Sequence, residues 1–125
     1  MHPGPGPRRV LVVDDDEGIR ELIVSALSEE GYDVASAADG SEALTLLDSY
    51  EPGVILLDMR MPGMDGWQFA RAYRSRPGRH APIVICTAAL DVQREASDIG
   101  AEGFLGKPFQ LEDLLNAVEH QTRPS

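Results

Sequence analysis

The chain contains the stretch Val54-Ile55-Leu56-Leu57-Asp58, in which four consecutive apolar residues lead directly into an aspartate. A strand that is apolar at every position is typical of a parallel sheet covered on both faces. Two other predicted strands, Val10–Val13 and Ile83–Thr87, share this apolar character. The sequence therefore predicts a sheet whose central strands are buried on both sides.

Two further β-rich runs, Asp33–Ala37 and Gly103–Leu105, bring the predicted strands to five. Segments with helical spacing separate the strands. The first of these segments has an apolar stripe before Gly31, where a helix would end, and the stripe consists of Ile19, Leu22, Ile23, Ala26 and Leu27. Strict alternation of strands and helices implies parallel strands joined by right-handed crossovers, so the predicted fold class is α/β with helices on both faces of the sheet.

The remaining helices are predicted from caps and apolar spacing. Asp39 with Glu42 resembles a helix cap, which makes Asp39 a structural residue. The segment Asp91–Ile99 is polar and only weakly patterned. Three- and four-residue spacing predicts the other apolar faces, which consist of Ala43, Leu44, Leu47 and Tyr50, then Trp67, Phe69, Ala70 and Tyr73, and finally Leu111, Leu114, Leu115 and Val118.

Length and composition predict one soluble domain. The 125 residues suffice for a single core, no apolar run is long enough to cross a membrane, and a net charge of −10 argues against direct nucleic-acid binding. We expect a flexible Pro/Gly tail at 1–7, one domain at 8–121 and a short tail at 122–125, with no output domain. The single cysteine, Cys86, lies in an apolar run and suits a reducing, cytoplasmic location.

Polar residues follow four of the five predicted strands, and they are Asp14 with Asp15, Asp58, Thr87 and Lys107. The carboxyl ends of parallel strands lie at one edge of a sheet, so these side chains should meet. An Asp-Asp pair alone could equally be a helix cap or turn. Crowded carboxylates favour a hard cation, and Mg²⁺ uses few carboxylates together with water and phosphate oxygens.

Asp58 is the candidate nucleophile, because a carboxylate can attack phosphorus when cations offset the incoming charge. The loop that follows it, 59–66, offers backbone amides to phosphoryl oxygens. Lys107 would supply an ammonium charge and Thr87 a hydroxyl donor. The sequence thus predicts a Mg²⁺-dependent phosphoryl-acceptor site.

Taken together, these motifs resemble the receiver domain of two-component response regulators, of which the chemotaxis regulators are an example. The resemblance covers about 8–120 and rests on Leu11-Val12-Val13-Asp14-Asp15, Leu56-Leu57-Asp58, Met61-Pro62-Gly63-Met64-Asp65-Gly66, Thr87-Ala88 and Lys107-Pro108-Phe109. It implies a flavodoxin-like five-stranded sheet in the order 2-1-3-4-5, a cis bond before Pro108, and a histidine kinase or phosphotransfer protein as phosphoryl donor.

The resemblance also assigns roles at the site. Asp58 would be the phosphoacceptor, Asp15 a direct Mg²⁺ ligand and Asp14 a ligand through water. The backbone carbonyl of Arg60 would also bind the metal, while Thr87 and Lys107 would contact the phosphoryl group. The domain would catalyse only its own aspartyl phosphorylation and dephosphorylation, and would not be an enzyme acting on other substrates.

A switch and an output surface are implied as well. Phe104 matches the family's switch aromatic, although it could also be an ordinary core residue. The fourth helix, fifth strand and fifth helix, roughly 91–121, would dock an unidentified downstream protein. Arg60 and Ala89 match positions that line the route of the attacking water, so their identities are expected to set the lifetime of the phosphoryl group.

Two other functions are compatible with parts of the pattern. Asp14-Asp15-Asp16 contains the Asp-x-Asp spacing of phosphatases that resemble haloacid dehalogenases, but Gly18 stands where that family has Thr or Val. A phosphorylation-inert interaction module is the second alternative, and the complete acceptor set argues against it. A nucleotide-binding module is weaker, because no Gly-rich loop follows the first strand.

Overall fold

The computed structural model describes residues 8–88 and 90–122. Five strands alternate with five helices along the chain. The strands are β1 (Arg9–Val13), β2 (Asp33–Ala37), β3 (Val54–Leu57), β4 (Ile83–Thr87) and β5 (Gly103–Gly106). The helices are α1 (Glu17–Glu29), α2 (Gly40–Leu46), α3 (Gly66–Arg74), α4 (Val92–Ile99) and α5 (Leu111–Thr122).

All strands pair in parallel, in the order β2-β1-β3-β4-β5, which confirms the predicted fold. The chain leaves β1 toward one edge of the sheet to form β2 and then crosses to the other side to form β3. The direction of winding therefore reverses between β1 and β3, and a crevice forms at their carboxyl ends.

Side chains alternate between two cores, one on each face of the sheet. Leu11, Ile55 and Ile85 face a core shared with α2, α3 and α4, in which Phe69 is fully buried. Val12, Leu56 and Val84 face a second core closed by α1 and α5. Burial on both faces explains why β1, β3 and β4 are apolar throughout.

Most helix boundaries follow from local chemistry. Asp39 caps α2, with its Oδ1 accepting a hydrogen bond from the Glu42 amide at 2.8 Å, as predicted. Gly31 adopts φ +91° just beyond α1, a conformation that glycine tolerates best. Two apolar stripes were predicted too broadly, because Leu22 is 51% exposed and Leu111 is 42% exposed.

The last helix ends close to the predicted domain boundary. Helix α5 runs to Thr122, one residue beyond the expected domain boundary, and the Thr122 hydroxyl donates to the Val118 carbonyl at 2.9 Å. The predicted tail at 1–7 and residues 123–125 lie outside the described residues. Within 8–88 and 90–122, no helix combines the length and apolarity that crossing a membrane requires.

Candidate functional site

The structure brings the predicted site residues together at the carboxyl edge of the sheet. Backbone hydrogen bonds extend the sheet past the strand ends and fix these positions. The Asp58 amide donates to the Val13 carbonyl at 2.9 Å, and the Lys107 amide donates to the Thr87 carbonyl at 2.8 Å. The backbone that carries the acidic and basic side chains is therefore held in place by the sheet. The bond between Lys107 and Pro108 is cis, as predicted.

Asp14 is buried and tightly bound. One carboxylate oxygen accepts from the Asp16 amide at 2.9 Å, and the other accepts from Lys107 Nζ at 2.7 Å. Its backbone carbonyl accepts from Arg20 at 2.8 Å. Only 2% of Asp14 is exposed, so Lys107 compensates a carboxylate that water cannot solvate.

Three carboxylates form a cluster that could hold a cation. One oxygen each from Asp14, Asp15 and Asp58 lie within 4.8 Å of one another. Asp14 and Asp58 are buried whereas Asp15 is exposed, so the cluster opens to solvent on the side of Asp15. Mutual repulsion among these groups is relieved by a divalent ion, and hard oxygen donors suit Mg²⁺.

Asp58 is 6% exposed and lies between two donors. Its Oδ1 accepts from the Arg60 amide at 3.2 Å, and its Oδ2 is 3.7 Å from Lys107 Nζ. Burial raises the pKa of Asp58 to about 6, against the lowering effect of the Lys107 charge, and Asp14 raises it further. For Lys107, burial acts to lower the pKa, but the hydrogen bond and charge of Asp14 outweigh it and the pKa is raised.

The loop after Asp58 is held close to the Asp58 backbone by a glycine. A Cβ added to Gly66 would lie 2.6 Å from Met59 Cα and 3.0 Å from the Asp58 carbonyl oxygen. The Gly66 amide donates to the Met59 carbonyl at 3.0 Å, and Asp65 then starts α3 with a reciprocal capping box to Gln68. The close approach of this loop requires the absence of a side chain at Gly66.

Thr87 ends β4 beside the cluster and is 1% exposed. Within 8–88 and 90–122, its hydroxyl oxygen has no hydrogen-bond partner. An unsatisfied buried hydroxyl is costly, so the Thr87 hydroxyl is a candidate to bond a ligand held at the cluster. The adjacent Cys86 is fully buried, and burial raises the pKa of its thiol to about 12, so it is a packing residue.

The other predicted residues occupy different surroundings. Phe104 is 44% exposed, so the alternative interpretation as a core aromatic is wrong for this conformation. Ala89 lies outside the described residues. Asp16, needed for the phosphatase-like Asp-x-Asp pattern, instead caps α1, because its Oδ1 accepts from the Ile19 amide at 3.0 Å.

Sequence reasoning missed Glu95, which is buried on α4 and bonded to Arg60 at 2.5 Å. A glutamate in a polar, weakly patterned helix resembles any solvated surface acid, and no periodic signal separates the two cases. Its partner lies 35 positions away, in the loop after Asp58. Only the folded chain reveals the pair.

Comparison with known proteins agrees with this architecture. The response regulator receiver domain family matches residues 10–119. Response regulator MprA of Mycolicibacterium vanbaalenii is 45% identical over 123 residues, covering 94% of this chain and 53% of that protein. The chain thus spans about half the length of the curated relatives it matches.

Solved structures show the same arrangement. The chemotaxis response regulator CheY4 of Vibrio cholerae superimposes with a TM-score of 0.83 at 36% identity, covering 90% of this chain and 97% of that one. The response regulator TrrA from Thermotoga maritima, in complex with Mg²⁺-BeF, gives a TM-score of 0.80 at 34% identity, with 90% and 97% covered. The parallel sheet, the acidic cluster at its carboxyl edge and the match over residues 10–119 place this chain in the family of response regulator receiver domains of two-component systems.

Proposed function

We propose that this domain accepts a phosphoryl group on Asp58 from a histidine kinase or a phosphotransfer protein. The observation that supports this most strongly is the position of the Asp58 carboxylate, buried beside Lys107 and within reach of Asp14 and Asp15. Receiver domains of two-component systems take phosphoryl groups from histidine kinases, and membership of that family makes such a donor the expected partner.

Mg²⁺ fits the residues at the site. Asp15, Asp58 and the Arg60 carbonyl would hold the ion directly, and Asp14 through water. The donor set is composed of oxygens, as Mg²⁺ prefers, and the exposed side at Asp15 leaves room for water and phosphate ligands. Bound Mg²⁺ would neutralise charge that accumulates between the carboxylates and the phosphoryl oxygens. The TrrA relative is itself a complex with Mg²⁺-BeF.

The transfer is an in-line displacement at phosphorus. A carboxylate oxygen of Asp58 forms the new P–O bond, and the bond between phosphorus and the donor breaks, so the electron pair leaves with the donor. Lys107 Nζ, now 2.7 Å from Asp14, lies close enough to Asp58 to shift toward a phosphoryl oxygen. The hydroxyl of Thr87, which has no partner among the described residues, can donate to a second phosphoryl oxygen.

Phosphorylation would act on a surface formed by α4, β5 and α5, which we propose docks a downstream protein in the cytoplasm. Thr87 lies at the end of β4 and pairs in register with Gly106 of β5, two residues from Phe104. A shift of Thr87 toward the phosphoryl group would leave space for the exposed ring of Phe104 to move inward. Phosphorylation would thereby favour one of two pre-existing conformations.

One assay separates this function from its alternatives. The protein is incubated with a small phosphodonor and Mg²⁺, and its intact mass is measured over time. A receiver gains one phosphoryl group, which Asp58→Asn abolishes, and turns over no other substrate. Rapid hydrolysis of many phosphomonoesters would instead indicate a phosphatase, and an unchanged mass would indicate an inert module. Either of these results would overturn the proposal.

A further inference from the structure

We propose that Glu95 is a positioning residue that holds the Arg60 guanidinium away from Asp58, and that a phosphoryl group on Asp58 competes with Glu95 for this guanidinium. The inference rests on the proposed function of Asp58 as acceptor. It assigns a role to a buried side chain of α4 that lies outside the acceptor cluster.

Arg60 contacts both the acceptor and α4. Its backbone amide donates to Asp58 Oδ1 at 3.2 Å, whereas its guanidinium bonds Glu95 Oε2 at 2.5 Å. The guanidinium carbon also lies 5.4 Å from the centre of the Trp67 ring, within the range of a cation–π contact. One residue therefore connects the acceptor carboxylate, α3 and α4 through separate atoms.

The buried carboxylate of Glu95 depends on the Arg60 guanidinium for charge compensation. Glu95 is one of two buried residues of α4, the other being Ala96, and its Oε1 has no hydrogen-bond partner within 8–88 and 90–122. A buried carboxylate needs a cation or several donors, and removal of the partner of a buried pair is strongly unfavourable. The Glu95 side chain is 11% exposed and that of Arg60 is 56% exposed, so the guanidinium is the mobile member of the pair.

The negative charge at the acceptor cluster competes with Glu95 for the Arg60 guanidinium. Asp14, Asp15 and Asp58 are three carboxylates, and Lys107 is the cation bonded among them in the described part of the chain. A phosphoryl group adds negative charge and several acceptor oxygens two residues before Arg60. Arginine binds phosphate through its planar fork, so phosphorylation favours movement of the guanidinium from Glu95 to the phosphoryl oxygens.

Loss of the contact between Arg60 and Glu95 would release only one end of α4. Arg74 binds the other end, where its guanidinium donates to the Ile99 and Gly100 carbonyls at 3.0 and 3.1 Å. Arg74 has no contact with the acceptor cluster among the described residues. Release of Glu95 would thus free the start of α4, which begins the proposed output surface, while Arg74 retains the end.

The test measures binding of beryllofluoride with Mg²⁺, a phosphoryl mimic, in five proteins: wild type, Glu95→Gln, Arg60→Gln, the double variant, and Arg74→Gln. Fluorine NMR reports bound beryllofluoride, and the emission of Trp67, the single tryptophan, reports the position of the guanidinium. Thermal unfolding and circular dichroism are used to check whether each variant folds. Arg74→Gln is the matched control, because it removes the other arginine contact to α4.

We expect Glu95→Gln to bind beryllofluoride about fivefold more tightly than wild type, because a neutral amide holds Arg60 more weakly. Arg60→Gln should bind more weakly, and adding Glu95→Gln to it should change nothing further. Binding should alter Trp67 emission in wild type but not in Arg60→Gln. Arg74→Gln should retain wild-type affinity.

The outcomes distinguish failure of this inference from failure of the proposed function. No bound fluoride signal in wild type would overturn the acceptor function and the inference with it. A normal signal, with Glu95→Gln binding as wild type does or with Trp67 emission unchanged, would refute the inference alone. An equal effect of Glu95→Gln with and without Arg60 would assign Glu95 a purely structural role and would also refute it.

Discussion

Replacement of Gly66 by alanine is expected to destabilise the domain, because the added Cβ would clash with the backbone next to Asp58. The added Cβ would lie 2.6 Å from both Met59 Cα and Met59 Sδ, closer than a Cβ approaches non-bonded heavy atoms in folded proteins. The methionine side chain can move, but the Cα can move only with its backbone. Overpacking of this kind costs about 1–3 kcal/mol, which exceeds the helix-propensity gain of up to about 1 kcal/mol from alanine.

Two other glycines provide matched controls. A Cβ at Gly40 would lie 2.8 Å from Met64 Cγ, an atom of a flexible side chain, so we expect a smaller loss than at Gly66. A Cβ at Gly18 would lie 3.4 Å from Asp16 Oδ1, which is an ordinary contact. Because Gly18 is exposed in α1, its replacement by alanine should stabilise the domain by up to about 1 kcal/mol.

The assay is thermal unfolding of the three alanine variants. For a chain of 125 residues, 1 kcal/mol corresponds to about 4 °C in the unfolding midpoint, so a net loss of about 1–2 kcal/mol in Gly66→Ala should lower the midpoint by about 4–8 °C. The same variant should accept phosphoryl groups more slowly, since Met59 directly follows Asp58. If Gly66→Ala unfolds at the wild-type temperature, the close approach of α3 to the acceptor loop is refuted.

Three further predictions concern the site and its surroundings. Burial raises the pKa of Asp58 to about 6, so the protonated form is stabilised by folding and that stabilisation is lost as pH rises through about 6. Without metal, Asp58→Asn should therefore be about 1–3 kcal/mol more stable than wild type near pH 7.5, and urea unfolding should show the difference shrink toward pH 4. Mg²⁺ at a hundredfold excess over Kd should stabilise the folded domain by about 2.7 kcal/mol and so raise its unfolding temperature. EDTA should reverse this effect. An unchanged midpoint would argue against the metal site. Burial raises the pKa of Cys86 to about 12, so iodoacetamide at pH 8 should leave the folded protein unmodified and alkylate it fully in urea, as intact mass would show.

The sheet was predictable because strands that are buried on both faces need apolar residues at nearly every position. The runs at β1, β3 and β4 are apolar at nearly every position, and their predicted ends differ from the structure by at most one residue. The positions of Asp14, Asp58, Thr87 and Lys107 then followed from parallel topology, since all four lie at carboxyl ends of strands.

Side-chain partners were not predictable to the same degree. Lys107 was expected to face the phosphoryl group, and the structure shows it bonded to Asp14 at 2.7 Å. The contact between Arg60 and Glu95 depends on how α4 packs, and the helix has too few apolar residues to fix its orientation from sequence. Helical periodicity also assigned Leu22 to the core, whereas the buried face of α1 consists of Ile23 and Leu27.

The most direct test of the central claim is to locate the phosphoryl group on the chain. Wild-type protein is treated with a small phosphodonor and Mg²⁺, the acyl phosphate is reduced with borohydride, and the peptides are sequenced by mass spectrometry. We predict that the reduced residue is Asp58 and that Asp14 and Asp15 are unmodified. Modification of another residue, or equal phosphorylation of Asp58→Asn, would contradict the assignment of Asp58 as the acceptor.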